Sequence, residues 1–153
     1  MPACLMNDTP AISAIRRFLS VLRDGDPPSD ERLAYALDEL VMAYHAAPEG
    51  EPAKGDPHPP DKNWNGRYAS LGKRFPQLGY YAVADPAEAV NNEPMCGDGI
   101  DDLADIEGDL REALWRFENL GADDAHWHFK LSFRSHWGRH ARSLAFYLHA
   151  KTW

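Results

Sequence analysis

The chain has 153 residues, enough for one domain with a real hydrophobic core and too few for two full domains. Lys and Arg total 16 against 24 Asp and Glu, and the resulting formal net charge of -8 opposes any broad nucleic-acid-binding surface. Hydrophobic residues make up 44%, with 5 Trp, 6 Tyr and 6 Phe, which excludes a disordered chain.

The opening residues carry neither the basic region nor the continuous apolar region of a secretory signal. No stretch approaches the ~18 apolar residues of a membrane span, so a cytoplasmic protein without a membrane partner is expected. Cys4 and Cys96 are the only cysteines, and free thiols are expected rather than a disulfide. Cys96 precedes a helix start that would favour its thiolate, but it has no CxxC partner and no histidine-based triad.

A first helix is predicted over residues 9–23, with Thr9 as N-cap, Pro10 at the first helical position and Ile12, Ile15, Leu19 and Leu22 at helical spacing. Asp24-Gly25-Asp26-Pro27-Pro28 stops it. A second helix follows over 29–46, capped by Ser29 or Asp30, with Leu33, Leu37, Leu40, Val41 and Tyr44 forming its apolar stripe. Short connection predicts an antiparallel hairpin for this pair.

Residues 48–63 are rich in Pro, Gly and charged residues and predict an exposed irregular loop, either disordered or in contact with a partner. A short helix over 64–74 places Trp64, Tyr68, Leu71 and Phe75 on one face, and Pro76 ends it. Residues 77–83 read as extended and 85–99 as irregular, and with no second strand of similar quality no sheet is expected. A long acidic helix then runs from Asp98 to Leu120 and stops at Gly121. The last helix runs from the Asp123-Asp124 pair to Lys151, with Gly138 as its one weak point, placed there for close packing or a kink beside Trp137.

On a projection of about 100° per residue, Ile100, Leu103, Ile106, Leu110, Leu114 and Phe117 share one sector of the acidic helix. Asp98, Asp101, Asp105, Asp109 and Glu112 fall opposite and predict a solvated face. Asp102 sits at the border, and Glu107 falls inside the apolar sector, four residues before Arg111. Carboxylates on adjacent turns also suit a hard cation, so a solvated face and a cation site both stand.

The last helix has an inward sector of Phe129, Phe133, Trp137, Leu144, Tyr147 and Leu148. His126 and His140 project into it and His136 lies at its edge, whereas His128 and His149 point elsewhere. His136 and His140 are four residues apart, which puts two imidazoles on one helix face for a shared metal. Met by Asp102, Asp105 or Glu107 across a helix interface they would form a mixed His/carboxylate metal site, or they would be structural imidazoles bonded to those carboxylates. Arg134, Arg139 and Arg142 flank this sector; a nucleic-acid contact through them and Trp153 runs against the global charge.

The residues Gly97-Asp98-x-Ile100-Asp101-Asp102-Leu103-Ala104-Asp105-Ile106, the pair Leu114-Trp115, and Phe129-x-x-x-Phe133-x-x-His136-Trp137-Gly138-x-His140, preceded by Ala125-x-Trp127, resemble a bacterial family catalogued as a domain of unknown function, number 5063. Phe75-Pro76-x-Leu78-Gly79-x-Tyr81 fits the same pattern, and the resemblance covers most of the chain from Trp64 onward. It implies a bacterial, all-helical domain and brings no activity, cofactor or catalytic residue.

The expected architecture is a single all-α domain over 1–153, an up-and-down bundle of four to five helices with two long irregular loops. The acidic and histidine helices run antiparallel at its centre, with Leu103, Leu110, Leu114, Phe133, Trp137 and Leu144 in the core. Two functional readings follow. The first is a non-enzymatic binding or regulatory module whose protein partner meets the 48–63 loop with Trp64 and Tyr68. The alternative is a divalent-metal-dependent hydrolase or phosphohydrolase, with Asp102, Asp105, His136 and His140 holding Zn²⁺, Mn²⁺ or Mg²⁺, Glu107 as base and Arg139 as phosphate contact. More than about 8 Å between the imidazole nitrogens and every carboxylate of the acidic helix would exclude a shared ion.

Overall fold

A computed structural model describes residues 6–152; Cys4 and Trp153 lie outside the described residues. Thr9 opens α1 (Pro10–Arg23) by accepting from the Ile12 amide, with Pro10 inside the first turn. Ser29 caps α2 (Asp30–Ala46) in the same way through the Arg32 amide. The two helices pack together and commit Ile12, Ile15, Leu19 and Leu22 from one, and Leu33, Leu37 and Leu40 from the other, to a common core.

The Pro-rich segment is irregular as expected but is strapped to the bundle. Glu51 N–H donates to the Asp123 carbonyl at 3.2 Å and Ala53 N–H to the Asp124 carboxylate at 2.8 Å. Gly50, at φ 66°, lies so close to the chain after Gly121 that a Cβ there would stand 2.2 Å from the Asp123 carbonyl oxygen. The segment feeds α3 (Trp64–Arg74), which buries Leu71 and is followed by a buried Phe75.

Extended chain at β1 (Tyr80–Val83) finds a partner in β2 (Met95–Asp98), so a small antiparallel ladder exists where no sheet was expected. The residues of β2 carry no alternating apolar signal because both strands are largely exposed. In this register Tyr81 stands opposite Gly97, and a side chain at 97 would collide with the Tyr81 ring, 2.6 Å from its Cζ. Gly97 thus lets Tyr81 lie flat across β2. Cys96 is exposed in the same ladder as a free thiol.

Asp98 caps α4 (Gly99–Leu120) through the Ile100 amide, and Gly121, at φ 103°, ends it. The last rod is α5 (Ala122–Ser132), a π turn (Phe133–Trp137) and α6 (Gly138–Thr152). A Cβ on Gly138 would sit 2.4 Å from the Phe133 carbonyl, so glycine here is required by the widened turn. Trp137 is fully buried, stacked on Phe129 and edge-on to Phe133, and its indole N–H donates to the Phe129 carbonyl.

Counting that rod as one, five helices form the predicted all-α bundle. Its centre is α4, which packs against α1, α3, α5, the π turn and α6. Leu114 is only half-buried, unlike the other residues expected in the core. No helix among the described residues is long and apolar enough to cross a membrane.

Candidate metal centre

Encirclement of α4 changes the fate of its acidic face. Asp109, expected to be solvated, is buried, as are Asp102 and Glu107, and Asp101, Asp105 and Glu112 are half-buried. An amphipathic projection assumes one covered side, but α3 and its preceding loop cover the carboxylate side from one flank and α6 from the other.

Asp102, Asp105 and Asp109 form a stripe along α4 that meets His136 and His140 from the last rod. Nδ1 of His140 donates to Asp102 at 2.7 Å, and Nδ1 of His136 donates to Asp109 at 2.6 Å. Both carboxylates are otherwise engaged: the Tyr81 hydroxyl donates to the second oxygen of Asp102, and Lys62 Nζ reaches the second oxygen of Asp109 at 2.5 Å. With each Nδ1 so held, each Nε2 turns to the same carboxylate, Asp105, at 3.1 Å from His140 and 3.8 Å from His136. These separations are far inside the limit that would exclude a shared ion.

Donors on one cation with bonds of 2.0–2.2 Å stand about 3.0–3.5 Å apart. Asp105, His136 and His140 each offer a donor atom within 4.8 Å of the others, so the three would close in by about an ångström to share one ion. Asp101, Asp102 and His140 form a second set of equal span. In that set, however, Asp102 already accepts from His140 Nδ1 and from the Tyr81 hydroxyl, and Asp101 accepts from the Trp64 indole N–H at 3.1 Å. The Asp105 set leaves every existing bond intact.

The electrostatics are those of a site short of positive charge. Burial pushes the Asp105 pKa up, and Asp109 and Asp102 add to this against the pull of the imidazoles. Asp101 is raised for the same leading reason, burial, reinforced by Asp105. The Asp109 bond holds the His136 pKa above its ordinary value. For His140, burial opposes the cation but the Asp102 bond and the charges of Asp102 and Asp105 outweigh it. Burial would raise Asp109 too, yet the His136 and Lys62 bonds bring it below its ordinary value.

Other expected site residues lie elsewhere. Glu107 projects from the opposite side of α4, fully buried, and accepts from Arg23 at 2.8 and 2.5 Å, with Arg67 at 3.1 Å and Arg111 at 3.2 Å. Burial alone would raise its pKa, but the arginines hold it below the ordinary carboxylate value, which removes it from any role as base at the imidazoles. Arg139 is paired with Asp85 at 3.2 Å. Arg134 pairs with Glu49 and Tyr44, and Arg142 lies over the Phe133 ring.

Trp64 and Tyr68 stack on each other and turn their polar atoms to α4, the indole to Asp101 and the hydroxyl to Asp98 at 2.6 Å. The Asp98 bond pushes the Tyr68 pKa up to about 12. His126 faces inward as expected and meets the Thr9 hydroxyl at 2.8 Å. His128 was expected to point away but is mostly buried beside Glu112. The π turn inserts one residue into the rod, so an uninterrupted helical projection across it misplaces residues on one side by about 100°. Sequence reasoning missed Tyr81 and Lys62, which hold the centre from outside. Asp109 was legible only as one of the carboxylates on adjacent turns of the acidic helix, with no sign that it would bond His136.

The family model described as Domain of unknown function (DUF5063) matches residues 58–152, a stretch that holds every residue of the centre and leaves α1 and α2 outside. A crystal structure of protein BF1032 from Bacteroides fragilis is similar in fold, with a TM-score of 0.70 at 16% identity over 94% of this chain and 90% of that chain. At that identity the likeness shows the fold alone. No curated protein matches the chain.

Proposed function

The chain belongs to the DUF5063 family, whose description names no activity, and from the site itself we propose that this domain is a divalent-cation-binding module. Asp105, His136 and His140 are the ligands. Asp102 and Asp109 orient the imidazoles and, with Tyr81 and Lys62 behind them, form the outer layer of the site. One observation carries the reading: two buried carboxylates each fix one Nδ1–H, and both remaining Nε2 atoms converge on a third carboxylate. Two imidazoles favour Zn²⁺ or Mn²⁺ over Mg²⁺. Binding and regulation are the uses this module is best suited for, with Trp64 and Tyr68, anchored beside the centre, as the surface a protein partner would read.

A second reading is favoured by the openness of the centre. Three protein donors leave coordination positions free, and His136 has 44% of its side chain exposed on the outer edge. A cation there would lower the pKa of a bound water toward neutrality, the basis of metal-dependent hydrolysis.

The test is metal content of protein purified without a His-tag and without chelator, alongside His136→Ala/His140→Ala. Near-stoichiometric Zn or Mn in the wild type and its loss in the variant are expected, with proton release on titrating the metal into the apoprotein. Absence of metal, with no thermal shift on adding Zn²⁺, Mn²⁺ or Mg²⁺, would leave the row as a purely structural set of imidazole–carboxylate bonds. Turnover of model phosphate esters by metal-loaded protein, lost in Asp105→Asn, would establish the hydrolytic reading.

A further inference from the structure

A different groove lies where α1, the segment ahead of α3 and α3 itself meet α4, with a volume of about 380 Å³. That is the size of a small-molecule site. Its floor is Gly108, where the stem of Lys62 crosses α4 so closely that a Cβ would come within 3.3 Å of it. Arg67 and Arg111 line one wall and the half-buried Trp115 indole another.

The charge count at this groove is unusual for an acidic chain. Glu107, behind the wall, is a single carboxylate shared by Arg23, Arg67 and Arg111. Arg23 alone satisfies both of its oxygens, through Nε and Nη2. The other two guanidiniums therefore bring positive charge that no carboxylate of the cluster balances. Arg67 spends Nε on the Lys62 carbonyl and Nη1 on Glu107, and Arg111 spends Nε and Nη2 on Glu107. Nη2 of Arg67 and Nη1 of Arg111 have no hydrogen-bond partner among the described residues. Fixed by Glu107 from behind, both forks are pre-oriented, which lowers the entropy lost when they bind an oxyanion. Carboxylates at the rim, Asp61, Glu112 and Glu118, disfavour ligands that are large or carry more charge than one phosphate group, and Lys62 and Arg16 partly offset them.

We propose that this groove binds a small phosphate monoester carrying a flat ring, its dianionic head on Arg67 and Arg111 and its ring against Trp115. The dianion matches the two unbalanced guanidiniums, and a planar fork suits phosphate oxygens. The indole supplies the apolar surface that a ring covers. This site shares only the Lys62 side chain with the proposed cation centre and requires no metal.

Phenyl phosphate, inorganic phosphate and benzoate are titrated calorimetrically into wild type, Arg111→Ala, Trp115→Leu and the His136→Ala/His140→Ala variant, which lacks the proposed cation ligands. Phenyl phosphate is expected to bind tightest of the three and to weaken about ten- to a hundredfold in Arg111→Ala. Trp115→Leu is expected to weaken phenyl phosphate several-fold and leave inorganic phosphate unchanged, and the double histidine variant should bind as wild type does. In Arg111→Ala, Arg23 and Arg67 still hold Glu107, and the replaced side chain is 42% exposed, so the fold is retained. No saturable binding of phenyl phosphate to wild type, equal binding to Arg111→Ala, benzoate binding as tightly as phenyl phosphate, or loss of binding with the two histidines would each overturn the assignment.

Discussion

Two sides of α4 hold buried carboxylates and use them in opposite ways. On one, Glu107 sits among three arginines whose charge is permanent. On the other, Asp102, Asp105 and Asp109 face two imidazoles and a lysine, and the imidazoles can exchange a proton for a metal ion. The two sides also differ in exposure, since Glu107 is sealed while His136 stands at the surface. The arginine cluster is therefore an architectural joint between α1, α3 and α4, and the imidazole row is the side able to change state.

Removing the platform under the row is the largest expected effect. Trp137→Ala empties a fully buried site in the π turn that carries His136, and should cost about 3–5 kcal/mol by chemical denaturation. Metal uptake should fall with it. An unchanged melting temperature would mean that the π turn does not depend on this indole.

Next comes the joint. Glu107→Gln leaves the arginines facing an uncharged amide, and a loss of about 3 kcal/mol is expected at neutral pH. Metal content should be unaffected, which separates the two sides. The pH dependence sharpens this further. Because the folded pKa of Glu107 lies below its unfolded value, its stabilisation is complete above the ordinary carboxylate pKa and is lost as pH falls through the folded one. Wild type and Glu107→Gln should thus converge in stability in acid. In metal-free protein the histidine row runs the other way: raised folded pKa values give stabilisation below the ordinary histidine pKa that fades as pH rises through the folded values. Parallel pH profiles for the two sides would break the comparison.

The smallest effect falls on the outer layer of the centre. Asp109→Asn keeps the shape but gives up the charge that fixes His136 Nδ1–H, and a ten- to hundredfold weaker metal affinity is expected by calorimetry, on the order of 1–3 kcal/mol. Affinity equal to wild type would show that Asp109 serves Lys62 alone.

Much of this molecule is readable in one dimension. Thr9 caps as its side chain predicts, Ser29 is the cap of the Ser29-Asp30 pair, α4 opens at Asp98, and Gly121 stops α4 where its freedom at positive φ allows it. These are local contests between a side chain and the next few amides, and local sequence decides them. Helical spacing puts both imidazoles on one face, but which of the candidate carboxylates Asp102, Asp105 and Glu107 they meet is set by the packing of the last rod on α4. The ladder of β1 and β2 was not, since pairing across an irregular stretch leaves no periodic trace in two short exposed strands.

What the sequence by itself determined is the set of helices, their caps and the rows of titratable side chains that they display. Tertiary structure alone decided which carboxylates are sealed and which are open. Helical phase sets Glu107 in the apolar sector and Asp109 opposite it, yet both are sealed, Asp109 by α6 and Lys62 and Glu107 by Arg23 and Arg67. The physical reason is that burial and partner identity are set by the elements that surround α4 on every side, and the charge state of a carboxylate follows its partners.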